Sequence, residues 1–404
     1  MIQDRAPQPA RSSLVDLKER NEWRVIELLR DVGEVSRSEL VAMTGLSRST
    51  VANVVGALLQ RGLVDERVPA APRRSGRGRP GAVVALRSEA GVAIGVAVDR
   101  EHVRVAAVDL AATVLAHGDE SIPPEADGVD TLAITARLIR TLLSEIGKDV
   151  SRVVGAGLGL PGPVDVERGG VDRDATLRRW AGLNAREELS RRLGGVPVFP
   201  DNDSNFGALG ELQYGAGRGA ENLLYVRVGP GVGGGLVIGG RLYRGDIGYA
   251  GEVGHVPAVA DGKLCTCGRH GCLSTVAASW EIVARLRPDH GPDLTIQGVL
   301  ALAGSGDANA VTALREAGEH AGRALSGAVS TLNPGLIVLG GDVGAHSPDF
   351  AEAFVTELAA HLLPTTAKAV RVVRATLGER SEVLGASVRV LRDEARVRAF
   401  MTAA

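Results

Sequence analysis

All three cysteines of this chain fall within eight residues, in the segment Cys265-Thr-Cys267-Gly-Arg-His-Gly-Cys272. Three thiolates and one imidazole complete the four-coordinate tetrahedral shell that a structural zinc ion prefers. The rival fourth ligands are His255, in the run Glu252-Val-Gly-His255 just upstream, and His270 inside the segment. The cluster therefore predicts a loop folded tightly around one metal ion. A Cys265–Cys267 disulfide is disfavoured by its geometry, and three unpaired buried thiols are the plainer alternative.

The composition is that of a cytoplasmic globular protein. The chain has 404 residues, 45% of them hydrophobic and 23% charged, which is enough for two or three domains. No uncharged apolar run reaches membrane-spanning length, and the N-terminus lacks the basic-then-apolar order of a secretory signal, so we expect a cytoplasmic location and no membrane partner. The formal net charge is only −2, so any affinity for nucleic acid must come from a local patch.

One such patch lies near the N-terminus. Between Arg67 and Arg87 the sequence carries six arginines and no acidic residue. At its centre, Arg77 and Arg79 offer two guanidinium groups on an extended backbone rich in glycine and proline, a shape that suits the narrow minor groove of DNA. The alternative is a flexible, solvated linker.

Three helix-like segments precede the arginine patch. The first, about Val15 to Val32, places its apolar side chains on one face. The second opens with Ser36-Arg-Ser-Glu39, which is a capping-box pattern, and a tight turn at Gly45-Leu46 follows it. Ser47 is then placed to cap a third helix. This succession predicts a helix-turn-helix.

The third segment has the two faces of a DNA-recognition helix. An apolar stripe is formed by Val51, Val54, Val55 and Leu58. The side chains suited to phosphates and base edges are Ser47, Arg48, Ser49, Thr50 and Asn53. Strand-like runs at Leu63-Val64 and Ala82 to Leu86 flank the arginine patch, so residues 1–88 are predicted to form an all-α winged helix-turn-helix domain with the patch as its wing tip. The alternative is a three-helix bundle that binds protein.

From residue 90 onwards, strands alternate with helices. The first half contains a three-stranded meander between Gly91 and His117, a helix near Thr131 to Ile146 and a buried strand at Val153 to Leu158. The second half repeats the theme with strands at Asn222 to Val228, Gly234 to Ile238 and Leu336 to Leu339, and helices between Asp307 and Leu332. The pattern predicts a bilobed α/β domain over residues 89–404, with lobe one at about 89–205 plus the C-terminal helix, lobe two at about 206–382, and a cleft between them.

The chain resembles the ROK family of sugar kinases and sugar-responsive repressors over nearly its whole length. The resemblance rests on the winged helix-turn-helix and on four motifs, namely Gly159-Leu-Pro-Gly-Pro163, Asn202-Asp-Ser-Asn205, Glu252-Val-Gly-His255 and the cysteine segment. It implies an actin/hexokinase-like domain, which is a duplicated ribonuclease H-like fold, with a sugar in its cleft. It also implies a zinc ion (Zn2+) bound by His255, Cys265, Cys267 and Cys272. The implied sugar contacts come from Asn202, Asp203, Glu252 and His255.

The chemistry of these side chains agrees with sugar recognition. Asp203 and Glu252 can each accept hydrogen bonds from adjacent hydroxyl groups, while an amide or an imidazole donates. Asp203 also stands where the kinases of the family keep their general base. If His255 binds metal through one ring nitrogen, the other nitrogen can donate to a sugar hydroxyl. The alternative for the Asn202–Asn205 run is a helix cap or a turn.

Two departures from the family pattern concern the sugar and the phosphates. Ser274 stands two residues beyond the last cysteine, where relatives usually carry a sugar-binding glutamate. The kinases have an Asp-x-Gly-Gly-Thr turn for the phosphates of ATP, whereas the corresponding stretch here is Val96-Ala-Val-Asp-Arg-Glu-His102. Bulk and negative charge therefore stand where phosphates would lie, and like charges about 4 Å apart repel by several kcal/mol.

Glycines remain at the other nucleotide-binding turns. The loop Gly229-Pro-Gly-Val-Gly-Gly-Gly235 keeps them, but Pro230 stands where a hydroxyl residue is usual. A strand-like run follows this loop rather than a helix, which excludes a Rossmann dinucleotide site. Gly340-Gly341 resembles the adenosine-binding turn of the family, although a tight turn needs glycines for backbone reasons alone.

These observations predict a regulator and not an enzyme. The expected function is sugar-responsive repression of carbohydrate-metabolism genes by a kinase-like domain that has lost phosphoryl transfer. The alternatives are a bifunctional ATP-dependent sugar kinase with a DNA-binding head and a constitutive DNA-binding protein with a vestigial pocket. The expected partners are a pseudo-palindromic operator DNA, a sugar or sugar derivative, and further copies of the chain in a homodimer or homotetramer.

Overall fold

The computed structural model describes residues 13–67, 82–171 and 178–403. They divide into two compact units. The first unit holds the N-terminal part of the chain up to Val92, together with residues 108–114 and the residues from Leu391 onwards, and the second unit holds residues 93–107 and 115–390. Within these described ranges, no helix has both the length and the apolar character that crossing a bilayer requires.

The first unit begins with the predicted helix-turn-helix. Its helices are α1 (Ser13–Val32), α2 (Arg37–Thr44) and α3 (Arg48–Gln60). The predicted capping box is confirmed, because Ser36 Oγ accepts from the Glu39 backbone N–H while the Ser36 N–H donates to Glu39 Oε2. Gly45 ends α2 with a φ of 67°, a left-handed conformation that favours glycine and allows the tight turn into α3.

A small antiparallel sheet completes the wing. Its strands are β1 (Val35–Ser36), β2 (Val64–Arg67) and β3 (Val83–Leu86), in the order β1-β3-β2. β2 and β3 are the two predicted wing strands. The sequence did not predict β1, since a two-residue strand is too short to show an alternating pattern. The predicted wing tip between β2 and β3 lies outside the described residues.

The second unit is organised around two five-stranded sheets. The first sheet has the order β10-β7-β4-β5-β6 and consists of β4 (Val92–Val98), β5 (His102–Asp109), β6 (Val114–Ser121), β7 (Val153–Leu160) and β10 (Val198–Asn202). The second has the order β13-β12-β11-β14-β15 and consists of β11 (Leu223–Val228), β12 (Val232–Ile238), β13 (Arg241–Tyr243), β14 (Leu336–Gly340) and β15 (Arg371–Arg374). A separate pair is formed by β8 (Val164–Asp165) and β9 (Gly170–Val171).

The two large sheets repeat one topology. In each of them the third strand along the chain lies at one edge, followed by the second, first, fourth and fifth. In the second sheet β11 is antiparallel to β12 and parallel to β14, and in the first sheet β7 and β10 are parallel. The predicted duplicated α/β fold is therefore confirmed.

Helices connect and cover these strands. They are α4 (Gly128–Glu145), α5 (Ala185–Arg192), α6 (Asp203–Tyr214), α7 (Ser274–Ala277), α8 (Ser279–His290), α9 (Ile296–Gly304), α10 (Ala308–Leu332), α11 (Gly341–His346), α12 (Pro348–Ala360), α13 (Pro364–Ala369), α14 (Ser381–Leu391) and α15 (Glu394–Ala403). α4 begins earlier than predicted because Asp127 accepts from the backbone N–H groups of Val129 and Asp130 and so caps the helix. The predicted helical stretch up to Leu332 is one continuous helix, α10.

Glycines let α14 pack closely on the first sheet and on α6. A Cβ atom at Gly95 in β4 would lie 1.9 Å from the Val383 carbonyl oxygen, and one at Gly157 in β7 would lie 2.1 Å from that of Ala386. A Cβ atom at Gly385 of α14 would lie 1.7 Å from the carbonyl oxygen of Phe206 in α6. The backbones therefore touch directly, and α14 lies against α6 over Phe206 to Gly210.

The C-terminal helix belongs to the first unit. Arg398 of α15 places Nη1 2.9 Å from Oε2 of Glu19 in α1. Arg30 of α1 donates from Nε to the carbonyl oxygen of Leu110, in the turn between β5 and β6, and its guanidinium lies over the ring of Trp23. Helix α1 is thus fixed within this unit by contacts with α15 and with the turn between β5 and β6.

Candidate functional site

The predicted DNA-recognition face of α3 is solvent-exposed. The predicted apolar stripe is buried, and Arg48, Ser49 and Asn53 are exposed. Ser47 caps the helix by accepting from the Thr50 backbone N–H at 3.1 Å, and its Oγ also lies 2.8 Å from Thr50 Oγ1. Ser49 Oγ also lies 2.9 Å from Ser47 Oγ. The hydroxyl groups of Ser47, Ser49 and Thr50 are therefore partly occupied at the start of the helix, while Arg48 and Asn53 present exposed side chains to phosphates and bases.

The ends of the arginine patch are engaged in ion pairs. Arg67 and Arg87 each lie 3.1 Å from an acidic side chain of the same unit. Arg77 and Arg79, the two predicted minor-groove residues, lie outside the described residues. Their role stays a prediction.

The three cysteines and His255 come together as one candidate metal centre. Their ligand atoms all lie within 4.8 Å of one another. Cys265 Sγ is 3.5 Å from His255 Nδ1, Cys267 Sγ is 3.6 Å from Cys272 Sγ, and all three thiols are free. Burial and the neighbouring thiols raise the pKa of Cys272 to about 12, so this thiol keeps its proton unless a bound cation stabilises the thiolate. Three sulfurs and one nitrogen form a closed set that fits a structural metal.

His270 does not join this cluster. It is exposed, and its Nδ1 lies 3.1 Å from the carbonyl oxygen of Gly262. Gly271 beside it has a φ of 72°, and a Cβ atom there would lie 1.8 Å from the Val259 carbonyl oxygen. The glycine therefore lets the loop close, and His255 supplies the imidazole of the cluster.

His255 faces two groups with its two ring nitrogens. Nδ1 points to Cys265, whereas Nε2 lies 3.9 Å from Oε2 of Glu252. Burial and then the charge of Arg269 lower the pKa of His255, which favours the neutral imidazole that a metal requires. One ring nitrogen therefore faces the cysteines and the other faces Glu252, and the sugar contact expected of His255 stays a prediction.

Asn202 is a helix cap, which was the alternative interpretation of its motif. Its Oδ1 accepts from the backbone N–H groups of Ser204 and Asn205 at the start of α6, and its Nδ2 donates to the carbonyl oxygen of Gly162 at 2.9 Å. The side chain thus joins α6 to the loop after β7. A sugar contact from Asn202 would come in addition to this structural role.

Asp203 and Glu252 supply the acidic groups of the candidate sugar site. Asp203 opens α6, is buried, and accepts from the Ser204 backbone N–H at 2.6 Å. Burial, and then the negative charge of Asp203, raise the pKa of Glu252 to about 7. Such an influence requires the two carboxyl groups to be near each other. A carboxyl group that is easily protonated can either accept from a hydroxyl group or donate to it.

The turn after β4 is closed by its own aspartate. Asp99 Oδ1 accepts from the backbone N–H groups of Glu101 and His102 at 2.8 and 2.7 Å. Asp99 Oδ2 lies 2.6 Å from Nη1 of Arg104, whose Nη2 lies 3.3 Å from Glu379. The amides that a phosphate-binding turn would offer are therefore already satisfied by a carboxylate.

Close packing accounts for Gly233 and Gly235 of the Gly229–Gly235 loop and for Gly340 and Gly341 of the adenosine-like turn, whereas Gly231 has nothing within 4 Å of a Cβ position. Cβ atoms at Gly233 and Gly235 would lie 2.4 Å and 2.6 Å from atoms of Ser204 at the start of α6. A Cβ atom at Gly340 would lie 2.2 Å from the hydroxyl oxygen of Tyr225, and Gly341 has a φ of 73°. Gly233, Gly235, Gly340 and Gly341 are therefore explained without a nucleotide.

Arg227, which no sequence motif indicated, lies beside Asp203. Its Nη1 is 3.5 Å from Asp203 Oδ2, and its Nε donates to Glu382 Oε1 at 3.1 Å. Burial alone would lower the pKa of Arg227, but the charges of Asp203 and Glu382 raise it. A signal was present, since Arg227 is the one charged residue in the strand Leu-Leu-Tyr-Val-Arg-Val. Charge inside a buried strand marks a paired or functional group.

Ser274 opens α7 next to the candidate metal loop. A Cβ atom at Gly254 would lie 2.5 Å from Ser274 Oγ, so this hydroxyl group packs on the Glu252–His255 turn. Ser274 therefore adjoins the candidate sugar ligands. Its effect on sugar preference stays a prediction.

Comparisons with known proteins agree with this architecture. Residues 93–393 match the ROK family and residues 16–75 match the MarR family. The chain is 27% identical over 364 residues to the xylose repressor of Bacillus spizizenii, a match that covers 89% of this chain and 92% of that protein. It is 30% identical over 269 residues to a glucokinase of Halalkalibacterium halodurans, covering 62% of this chain and 80% of the relative.

A solved structure extends the likeness to the whole chain. The crystal structure of a ROK family transcriptional regulator, a homologue of the E. coli MLC protein, aligns with a TM-score of 0.79 at 25% identity. The alignment covers 96% of this chain and 99% of the other. The repressor-type relatives therefore match both units, whereas the glucokinase match covers less of the chain.

Proposed function

The chain belongs to the ROK family, and from this premise we propose that it is a sugar-responsive transcriptional repressor that transfers no phosphoryl group. Its MarR-like head binds operator DNA, and its kinase-like domain binds the sugar that controls the head. The domain division that we propose is 1–88 for the head and 89–404 for the effector domain. It acts in the cytoplasm, where a regulator of this kind meets its operator.

The turn after β4 is the observation that favours a regulator over a kinase. A kinase needs free backbone amides and small residues there, because the phosphates of ATP must approach the backbone closely. In this chain the carboxylate of Asp99 takes both amides, and Arg104 neutralises that carboxylate within the fold. An incoming phosphate would have to displace the Asp99 carboxylate from these two backbone amides.

The DNA contacts proposed for the head follow from exposure on α3. Arg48, Ser49 and Asn53 address the major groove, with Ser47 and Thr50 presenting the start of the helix to a phosphate. Arg77 and Arg79 of the wing enter the minor groove. Homodimers or homotetramers place two heads on a pseudo-palindromic operator.

The effector site combines the sugar ligands and the metal loop. Asn202, Asp203, Glu252 and His255 contact the sugar, and Ser274 adjusts which sugar fits. Zn2+ is held by His255, Cys265, Cys267 and Cys272, a donor set that suits it, and the ion supplies a fixed crosslink for the loop. His255 then keeps Nε2 for the sugar side.

One combined experiment tests this function. DNA sites selected from a random pool by the purified full-length protein are titrated by fluorescence anisotropy in the presence of D-xylose, D-glucose, N-acetyl-D-glucosamine and their phosphates. We expect one sugar to weaken operator binding by about tenfold or more. The same sugar, with ATP and magnesium, should give no ADP above background. ADP formation that disappears in Asp203→Asn would favour the bifunctional kinase, and failure to select any DNA would exclude a regulator.

A further inference from the structure

Arg227 ties the start of α6 to the start of α14. Its guanidinium lies between Asp203, the first residue of α6, and Glu382, in the first turn of α14. Tyr225, two residues earlier on β11, donates its hydroxyl hydrogen to the same Glu382 oxygen at 3.2 Å. Both carboxylates and the tyrosine are buried. Arg227 therefore pairs with both buried carboxylates, and the Tyr225 hydroxyl group also binds that of Glu382.

The existing hydrogen bonds of Asp203 limit how many further hydrogen bonds its carboxylate can accept. Oδ1 accepts from both the backbone N–H and the hydroxyl group of Ser204, at 2.6 and 3.1 Å, so its two lone pairs are used. Oδ2 faces the guanidinium of Arg227 at 3.5 Å, which leaves one lone pair for another donor. A sugar hydroxyl group can be that donor.

The same contacts oppose proton transfer. A general base must change its charge during the reaction, and a buried guanidinium next to Asp203 favours the charged carboxylate throughout. If the guanidinium of Arg227 moved away from Glu382, the Glu382 carboxylate would remain buried without its charged partner. The arrangement thus favours a fixed hydrogen-bond acceptor over a reactive base.

We infer that Arg227 is a positioning residue of the sugar site, which holds Oδ2 of Asp203 as the acceptor for one sugar hydroxyl group. This inference rests on the proposed sugar-binding function. Arg227 has no proposed contact with the sugar. Its effect on sugar affinity acts through Asp203.

A double-mutant cycle tests the inference. Sugar binding is measured by calorimetry with full-length protein and the probes D-xylose, D-glucose and N-acetyl-D-glucosamine. The variants are Arg227→Met, Asp203→Asn and the double variant. Arg285→Met, which removes an arginine paired with Glu316 on an exposed surface, is the matched control. We expect Arg227→Met to weaken binding of the recognised probe about tenfold in the normal background and to have little further effect beside Asp203→Asn.

The outcomes separate the inference from the proposed function. If Arg227→Met weakens binding equally in both backgrounds, the arginine supports the fold in general and the inference is wrong, although the sugar site survives. If Asp203→Asn leaves binding unchanged, or if none of the three probes binds, the proposed site fails and the inference fails with it. Should Arg227→Met not fold, Arg227→Lys is judged by the same criterion, with Glu382→Gln as a variant that removes the other anchor. Partial rescue by lysine relative to methionine supports a role for the charge.

Discussion

His255 Nε2 lies 3.9 Å from Glu252 Oε2, while Nδ1 of the same ring faces Cys265. One imidazole therefore stands between the cysteine loop and the acidic groups proposed to bind sugar. A metal on the cysteine side would fix the position and the tautomer of this ring. Loss of the metal should therefore weaken sugar binding as well as disturb the cysteine loop.

We predict one tightly bound zinc ion per chain, held by His255 and not by His270. His255→Ala and Cys267→Ser should lose the metal and the sugar response together, because a four-ligand structural site tolerates no missing ligand. His270→Ala, which alters a neighbouring histidine outside the cluster, should keep both. Elemental analysis of protein purified without added zinc measures the metal. Native protein that contains no metal and still binds sugar would contradict this prediction.

Features with local causes could be read from the sequence. The capping box of Ser36 and Glu39 depends on residues three positions apart, and the stripe of α3 depends on helical periodicity. The cysteine cluster needs only a short loop and one upstream histidine. Each of these signals lies within a few turns of the chain, so no tertiary information was needed.

Features that depend on distant contacts could not be read in this way. The contacts of Arg227 arise because α14 brings Glu382 next to β11, and these two residues are far apart in sequence. The same is true of Gly385, whose close contact is with Phe206 of α6. The capping role of Asn202 was foreseen only as an alternative, since a short polar motif fits a helix cap and a ligand equally well.

The recognition helix can be tested with two substitutions on the same helix. Asn53→Ala removes an exposed amide from the proposed DNA face and should weaken specific operator binding by about 1–3 kcal/mol. Gln60→Ala removes a similar exposed amide at the far end of α3 and should leave binding unchanged. Anisotropy titrations on operator and on scrambled DNA at one salt concentration provide the comparison. Equal losses for the two variants would place the contact surface elsewhere.

The packing of α14 makes a sharp stability prediction. Gly385→Ala would place a Cβ atom 1.7 Å from the Phe206 carbonyl oxygen, so backbone must move, at a cost of about 3 kcal/mol. Gly327→Ala in α10 meets nothing within 4 Å and should stabilise by about 0.5–1 kcal/mol, since alanine is the better helix former. Urea midpoints of the two variants should therefore move in opposite directions. A shift in the same direction would show that α14 does not lie against α6 as described.

Sugar and operator should weaken each other's binding by the same factor. Thermodynamic linkage requires this reciprocity for any allosteric regulator, with a typical coupling free energy of about 1–3 kcal/mol. Sugar affinity is measured with and without saturating operator, and operator affinity with and without saturating sugar. Asp203→Asn should weaken sugar binding yet keep operator affinity, and Asn53→Ala should weaken operator binding yet keep sugar affinity. If a sugar binds at Asp203 and Glu252 but neither affinity changes when the other ligand is present, the two sites are not coupled. The chain would then be a constitutive DNA-binding protein whose sugar site does not control DNA binding.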